Sequence, residues 1–535
     1  MTGPAETPAA GWRAWVQHVA LAGVAAAAIL LATPPHELWP LALVGAAALY
    51  AALTAARRRT AILTAWLAGF AINVVGNGWA LAVMDRFAHA AASTQWLVLL
   101  GTAAYQASVF GLAAFATTTL RRHRVPPLLA APLAFALAEA VIPFVFPWYL
   151  GMAVVPAWPL TQVAELGGPP AVTALLVLLG GVIVEALRAL GAGQRPPRAV
   201  RIAAAIAAGL IALGGLRAWH VARGRAAAPT LRVAIVQPNF GLVPIARRER
   251  DGAALLATLR GLTEQAGDRG AELVVWPESA FPFLFDRAQT QIYPSGHPWE
   301  LRGRYRGKLL FGALSHPFGA THVFNSAVLV SDDGAVRGTY DKVRLVVFGE
   351  YIPMRDRFPA WAARLRAKTP DWPDIQPGAA PRVLTDGALR IGPLICYEDI
   401  LPDHVAAMGR VGDPNLLVTL ANHAWFGASA APHQALALAT LRAIETRRDL
   451  VRASNTGVSS FGDALGRITR RGGLHAVDPD HPIAPELIVA DVRLYDGFAL
   501  GPWSAPAFPW GCAATLAIGV IVGRRRSRGP SASPR

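Results

Sequence analysis

Seven long apolar runs, nearly free of charged residues, fill the first 220 residues of this 535-residue chain, at 16–33, 38–56, 61–84, 96–120, 128–146, 171–190 and 202–216. An eighth lies at 510–523. About 20 consecutive apolar residues cross a bilayer core, so most of these runs are long enough to span one. The seventh and eighth are the shortest and richest in Ala and Gly. Buried helices of a soluble protein are the competing reading, and the confinement of arginine to the ends of the runs argues against it. The first run is expected to be retained rather than cleaved as a signal peptide, because further spans follow at once. The composition, 53% hydrophobic and 16% charged with mean hydropathy +0.36, excludes a disordered chain. Two cysteines, Cys396 and Cys512, exclude a disulfide-stapled fold.

The loops set an orientation. Arg57, Arg58 and Arg59 follow the second run, Arg121, Arg122 and Arg124 the fourth, Arg195, Arg198 and Arg201 the sixth, and Arg524, Arg525, Arg526 and Arg528 the eighth. The alternate loops are nearly bare of Lys and Arg, holding only Arg86 after the third run; Arg217, Arg223 and Arg225 after the seventh depart mildly from the pattern. Cytoplasmic loops carry the excess of Lys and Arg, which places both termini in the cytoplasm and residues from about 220 to 505 outside. Two carboxylates fall within the runs. Glu185, beside Arg188, reads as an interfacial pair; Glu139 is more central, and either a structural hydrogen bond or a cavity lining would account for it. The aromatic segment FVFPWYLG at 144–151 fits an interfacial belt or the mouth of a lipid site.

From residue 231 the pattern changes. Short apolar runs at 231–237, 272–276, 308–313, 326–330, 388–396, 416–420 and 449–453 read as strands, with helical stretches at 252–264 and 433–446. Near-continuous apolar strands are buried on both faces, and their alternation with helices predicts an α/β sandwich. The expected organisation is a multi-span α-helical membrane domain at 1–222, an external α/β domain at 230–495, an eighth helix at 506–523 and a basic cytoplasmic tail at 524–535.

Ligands of open α/β folds collect at the carboxyl ends of strands. Three such ends carry reactive groups: Glu278 in WPES, Lys342 in YDKVRLVVFGEYIP, and Cys396 in IGPLICYED. A carboxylate can take the proton of a thiol, and an ammonium can stabilise a thiolate or an oxyanion. Taken singly, each has a plainer explanation: a buried apolar cysteine, a capping glutamate, a solvated lysine. Cys396 is the one cysteine between residues 230 and 500, so no disulfide can form within that segment. Cys512 reads as a packing residue of the eighth run.

The order and wording of WPES, YDK, FGEY and CYED resemble the nitrilase (carbon–nitrogen hydrolase) superfamily over residues 230–495. The whole layout is similar to the apolipoprotein N-acyltransferase family of the bacterial inner membrane. NHAWFG at 422–427, APHQALALATLRAIETRRDLVRASNTG at 431–457, GNGWALAV at 76–83 and FPWYLG at 146–151 agree with it. The resemblance implies an α-β-β-α sandwich and assigns roles. Glu278 would be the general base and Cys396 the nucleophile that carries a fatty acyl thioester. Lys342 would stabilise the tetrahedral intermediate. Glu350 would be an assisting carboxylate, Tyr397 and Glu398 the residues flanking the cysteine, and Trp425 an aromatic near the substrate entrance. The donor would be a phospholipid, and the acceptor the α-amino group of an S-diacylglyceryl cysteine at a lipoprotein N-terminus. Two positions depart from the pattern. LVVFGEY lacks the Pro usual before Phe348, and His423 stands where an acidic residue is common. Fine substrate preference, or a different amine acceptor, is what they leave open. His423 and His433 are alternative acids. A membrane-tethered amidase that releases the acyl group to water shares the triad, and a non-enzymatic transporter or scaffold is a third reading.

No His/Cys set shows metal-ligand spacing, no phosphate-cradling glycine loop stands out, and no cofactor is expected. The net charge of +16 invites a nucleic-acid reading, yet residues 230–500 hold 30 Lys and Arg against 28 Asp and Glu. The positive excess therefore belongs to the membrane loops, where it also suits anionic lipid head groups. No nucleic-acid partner and a monomeric state are expected.

Overall fold

The computed structural model describes residues 8–527 except 89, 242–244, 318–321, 348, 356, 368–373 and 475–482. Phe348 and the tail from Arg528 onward thus lie outside the described residues. The chain forms two compact units: Met1–Leu81, Ala92–Arg217 and Ser504–Arg535 make the first, and Ala82–Ala91 with Ala218–Trp503 the second.

Helices α1 (Pro8–Ala32), α2 (Pro40–Leu53), α3 (Arg58–Gly76), α4 (Trp79–Ala88), α5 (Ala92–Arg122), α6 (Pro127–Val141), the single turn α7 (Trp158–Thr161), α8 (Ala164–Gly191) and α9 (Arg198–Ala227) precede the first strand. Among the described residues six helices are long and apolar enough to cross a membrane: Trp15–Ala32, Arg58–Gly76, Ala92–Arg122, Ala164–Gly191, Arg198–Ala227 and Gly501–Arg525. The runs expected to be shortest, the seventh and eighth, lie in helices of 30 and 27 residues: Arg-bearing turns extend the seventh at both ends, and residues 501–509 and an Arg-bearing turn extend the eighth. The short helices are instead α2 and α6, with 14 and 15 residues. Prolines 40, 126 and 127 set their starts, and Pro143 follows the end of α6, since proline cannot donate within a helix. The third run is also broken, at Asn77 and Gly78, into α3 and α4.

Irregular backbone at apolar depth must find hydrogen-bond partners within the protein. In the first unit, buried polar side chains supply them. Gln106 Oε1 accepts the amides of Val145 and Phe146 at 3.1 and 3.2 Å, while its Nε2 donates to Asn73 Oδ1 at 2.6 Å. Asn77 Nδ2 donates to the same Asn73 oxygen. Glu139, 3% exposed, accepts the amide of Leu150 at 2.8 Å. Of the two accounts of Glu139, the structural hydrogen bond is the one present. Glu185 pairs with Arg188 at 2.8 Å, as expected. Arg217 departs from the loop pattern because it is a paired residue: its guanidinium takes both oxygens of buried Glu165 at 2.8–3.2 Å.

The second unit is a sandwich. Its strands are β1 (Thr230–Gln237), β2 (Leu273–Val275), β3 (Phe281–Asp286), β4 (Lys308–His316), β5 (Phe324–Val330), β6 (Val336–Asp341), β7 (Leu384–Asp386), β8 (Leu389–Ile395), β9 (Leu416–Ala421), β10 (Asp449–Ser454), β11 (Ser460–Gly462), β12 (Ile468–Arg471) and β13 (Glu486–Arg493). One sheet runs β13-β1-β2-β4-β5-β6 with β3 beside β4, and the other β12-β11-β10-β9-β8-β7. Alternation along each strand splits its side chains between two layers. Val233, Ile235, Leu273, Val275 and Leu310 meet Ile391, Leu416, Val418, Leu420 and Val451 in the core between the sheets. Ala234, Val236 and Val274 face outward onto Leu255, Leu256, Leu259 and Leu262 of helix α10 (Ile245–Asp268). After the short α11 (Pro359–Arg366) come α12 (Pro402–Arg410) and α13 (Ala431–Thr446), which cover the outer face of the second sheet through Val405, Ala439 and Ala443. The layering is α-β-β-α.

All seven strand segments read from the sequence are present. The unread ones are short or half-exposed, among them β6, whose end carries Lys342, a strand end without an apolar run to announce it. In the first unit, helices approach through small residues, as membrane helices do. A Cβ on Gly180 of α8 would stand 2.5 Å from the backbone of Ala46 in α2. Gly180→Leu is expected to destabilise the first unit by about 1–3 kcal/mol through overpacking. The check is a lowered thermal midpoint in detergent, with Gly191→Leu, a position with nothing within 4 Å, as the unaffected control.

Candidate active site

Glu278, Lys342 and Cys396 stand at the carboxyl ends of β2, β6 and β8. The Trp-Pro pair before Glu278 is an anchor. Trp276 is fully buried, and its indole N–H donates to Thr263 Oγ1 of α10 at 2.8 Å. Glu278 then turns inward, 7% exposed. Its Oε1 accepts from Asn325 Nδ2 at 2.7 Å and from Lys342 Nζ at 3.3 Å, and its Oε2 accepts the amide of Asn422 at 2.9 Å.

Lys342, 1% exposed, lies between two carboxylates. Its Nζ is 2.8 Å from Glu350 Oε1 and 3.3 Å from Glu278 Oε1. Glu350 Oε2 accepts the amide of Val346 at 2.8 Å, so the Lys–Glu segment closes on itself. Asn325, at the start of β5, was not among the residues expected. Its side-chain nitrogen donates to both Glu278 and Glu350, at 2.7 and 3.1 Å, and its backbone carbonyl accepts the Lys342 amide at 2.8 Å. A polar residue opening the apolar strand FNSAVLV is the one signal of it in the sequence.

Cys396 follows β8 with φ +53°, in the left-handed region that non-glycine residues seldom adopt. Such strain costs on the order of 1–3 kcal/mol and persists where surrounding contacts over-determine it. Here Glu398 supplies them. Its Oε1 accepts the amides of Val343 and Arg344 at 2.7 and 3.0 Å, and its Oε2 accepts the Ile395 amide and the Tyr340 hydroxyl, both at 2.8 Å. One carboxylate thus joins the residues after the lysine to the residue before the cysteine. Next to it, Asp399 pairs with Arg452 at 2.8 Å, both fully buried. Tyr397 is half-buried, and burial pushes its hydroxyl up to about 12 against the pull of Arg344. Trp425 lies in the loop after β9, whose carbonyls at Ala424 and Trp425 face Arg86 of α4 at 3.4 and 3.5 Å. His423 faces Arg452 and His433 faces Arg471; neither hydrogen-bonds to the three central residues.

The electrostatics favour base-assisted thiol chemistry. Burial raises the Cys396 thiol, and the Glu278 carboxylate raises it further, while Lys342 pulls it down; the net shift is upward. The resting group is therefore a thiol, which needs a base at the moment of attack. Burial also raises Glu278, against Lys342 and with Glu350. A carboxylate raised towards neutrality is a better base than an ordinary one. Burial disfavours the Lys342 ammonium, yet Glu278 and Glu350 together hold it well above its usual range. Among the described residues no group of His, Cys, Asp and Glu is arranged to hold a metal.

Burial raises Glu398 from 4.5 to about 7, against the amides of Ile395 and Arg344, the charge of Lys342 and the Tyr340 hydroxyl. The folded state then binds this proton more tightly than the unfolded chain does. The stabilisation is complete below pH 4.5 and is lost as pH rises through about 7, a difference on the order of 3 kcal/mol. Glu398→Gln is expected to remove that dependence. Denaturant unfolding at pH 5 and pH 8 checks it: wild type should lose stability relative to the variant between pH 5 and pH 8.

Comparisons with known proteins identify the family of the chain. The apolipoprotein N-acyltransferase N-terminal domain family matches residues 25–182, and the carbon-nitrogen hydrolase family residues 232–480. An apolipoprotein N-acyltransferase of Azotobacter vinelandii is 35% identical over 469 residues, 84% of this chain and 86% of its own. One from Geobacter metallireducens is 29% identical over 516 residues, 93% of this chain and 94% of its own. A crystal structure of an amidase from Nesterenkonia sp. superposes with a TM-score of 0.33 at 18% identity, over 50% of this chain and 94% of that one. The chain belongs to the apolipoprotein N-acyltransferase family.

Proposed function

We propose that this protein transfers a fatty acyl chain from a phospholipid to the α-amino group of the N-terminal S-diacylglyceryl cysteine of lipoproteins, through a thioester on Cys396. The observation that carries the reading is the buried cluster of Glu278, Lys342 and Glu350 opposite a strained cysteine, in a chain of this family. Glu278 is the base, Lys342 the cation beside the developing oxyanion, and Glu350 and Asn325 fix that cation and that base. Glu398 holds the nucleophile turn, Tyr397 flanks the nucleophile, and Trp425 belongs to the substrate entrance.

The steps balance. Cys396 Sγ attacks the ester carbonyl as Glu278 takes the thiol proton, and Lys342 faces the oxyanion. The C–O bond breaks, the glycerol oxygen receives the proton from Glu278, and a lysophospholipid leaves. The acceptor amine then attacks the thioester and loses its proton to Glu278. The C–S bond breaks, and the thiolate recovers the proton. Splitting ester-to-amide transfer into two steps lets one base serve both.

Both substrates carry acyl chains, which gives eight apolar helical segments a purpose beyond anchoring. Arginines at alternate loop ends support a bacterial inner-membrane protein with both termini in the cytoplasm and residues 230–495 on the periplasmic side. The protein is read as a monomer with no nucleic-acid partner and no cofactor.

Full-length protein in phospholipid micelles, given a diacylglyceryl peptide, is expected to yield N-acyl peptide, and without the peptide to accumulate one acyl mass on Cys396. Cys396→Ser removes both. Dominant release of fatty acid or ammonia would overturn transfer. The acylation rate should fall on the acid side at a pH above 4.5, since the base must be ionised and Glu278 is raised. Asn325→Ala removes a donor that favours ionised Glu278. It should move that limb to higher pH and slow acylation about tenfold, the loss of one charged hydrogen bond.

A further inference from the structure

The sequence motif at 431–457 buries charged side chains that the triad does not use. Several clamp neighbouring loops. Arg448 donates to Pro414 O and to Gly497 O at 2.7 Å, and Asp449 receives the guanidinium of Arg225 through two contacts of 2.6 Å. Arg442 pairs with Glu445 at 2.5 Å. Arg452, in β10 and fully buried, faces the reactive site.

Arg452 makes three contacts, each to a different segment. Its Nε donates to Asp399 Oδ2 at 2.8 Å, in the turn that begins with Cys396. Its Nη1 donates to Val458 O at 3.3 Å, in the loop after β10. Its Nη2 is 3.2 Å from His423 Nε2. His423 follows Asn422, whose amide holds the second oxygen of Glu278 at 2.9 Å. Arg452 is therefore tied on one side to the nucleophile turn and on the other to the segment that clamps the base.

A guanidinium has donors and no acceptor. His423 Nε2 must meet it with a lone pair, so the ring is neutral and its proton sits on Nδ1. Burial and the charge of Arg452 hold the imidazole well below its usual basicity, in agreement. Among the described residues, buried Nδ1 has no hydrogen-bond partner, and a Cβ on Gly457 would stand 2.5 Å from it. An unsatisfied buried donor costs about 1–3 kcal/mol. A site built for stability alone would not keep it, whereas a site that needs an acceptor for Arg452 at this point does.

We propose that Arg452, with neutral His423 as its acceptor, is a positioning residue that keeps the Cys396 turn and the backbone clamp on Glu278 in register. The proposal rests on the reading of Cys396 and Glu278 as nucleophile and base. Displacing reacting groups by about 1 Å slows a reaction roughly a hundredfold.

The test is single-turnover acylation of Cys396 by phospholipid, followed by intact-protein mass, as a function of lipid concentration. Arg452→Lys offers one point charge in place of a fork and should slow acylation about a hundredfold at unchanged half-saturation. His423→Gln keeps an acceptor oxygen and should stay within about threefold of wild type, whereas His423→Leu should fall more than about tenfold at a similar thermal midpoint. Wild-type rates in Arg452→Lys or His423→Leu, equal impairment in His423→Gln and His423→Leu, or a loss confined to half-saturation would each overturn the proposal. If wild-type protein gains no acyl mass at Cys396, the acyl-enzyme reading fails instead. The alkylation rate of Cys396 by iodoacetamide, which needs no acyl donor, then carries the same comparison: the same ranking supports the coupling and equal rates overturn it.

Discussion

One buried ammonium governs the second unit. Lys342 is 1% exposed, and a cation so far from water is tolerated only when paired and hydrogen-bonded. Two carboxylates surround it, so the cluster carries a surplus of negative charge. Glu350 spends one oxygen on the Val346 amide and serves as the fixed counter-ion. Glu278 is left as the carboxylate whose proton affinity is raised, which suits it to accept a proton and release it again. Asn325 keeps the two carboxylates at a set separation by donating to both. On the proposed roles, base and oxyanion partner are thus products of one charge-balance problem.

Cys396 has a different problem, since its constraint is backbone strain. Cys396 sits at φ +53° where β8 stops, and the next residues explain how it stays there. Glu398 accepts four donors drawn from both sides of the site, and Asp399 is locked to Arg452. Neither carboxylate hydrogen-bonds to Glu278 or Lys342, yet each ties the cysteine turn to a segment that also supports the base or the lysine. The CYED motif therefore holds one reacting group followed by two braces.

Much of this was legible in the sequence, and the limits have physical causes. Long apolar runs and buried strands announce themselves through period and length, which is why all seven segments read as strands are present. Strand β6, VRGTYD, is half-exposed and carries polar and glycine residues, so its pattern is weak although Lys342 depends on it. Helices around 202–216 and 510–523 run past the apolar segments, because a helix continues into water without a change of backbone. Glu278, Lys342 and Cys396 could be singled out because reactive residue types stand at strand ends. Asn325, Arg452 and Asp399 could not: each acts through a partner distant in sequence, and an amide or an ion pair has no wording of its own until the fold supplies the partner.

The two units treat buried polarity by one rule with different ends. In the first, Gln106 and Glu139 give their oxygens to amides of broken backbone, and Arg217 neutralises Glu165. Those groups stabilise interruptions in helices, which is why a carboxylate at apolar depth need not mark a reacting site. In the second, Glu398 also serves backbone amides, but the backbone it serves leads directly to the lysine and the cysteine. What separates a structural carboxylate from one that shapes chemistry is the identity of the residue next to the amide it holds. By that criterion Asn422 belongs with the active site, since its amide holds Glu278, and so do His423 and Arg452 behind it.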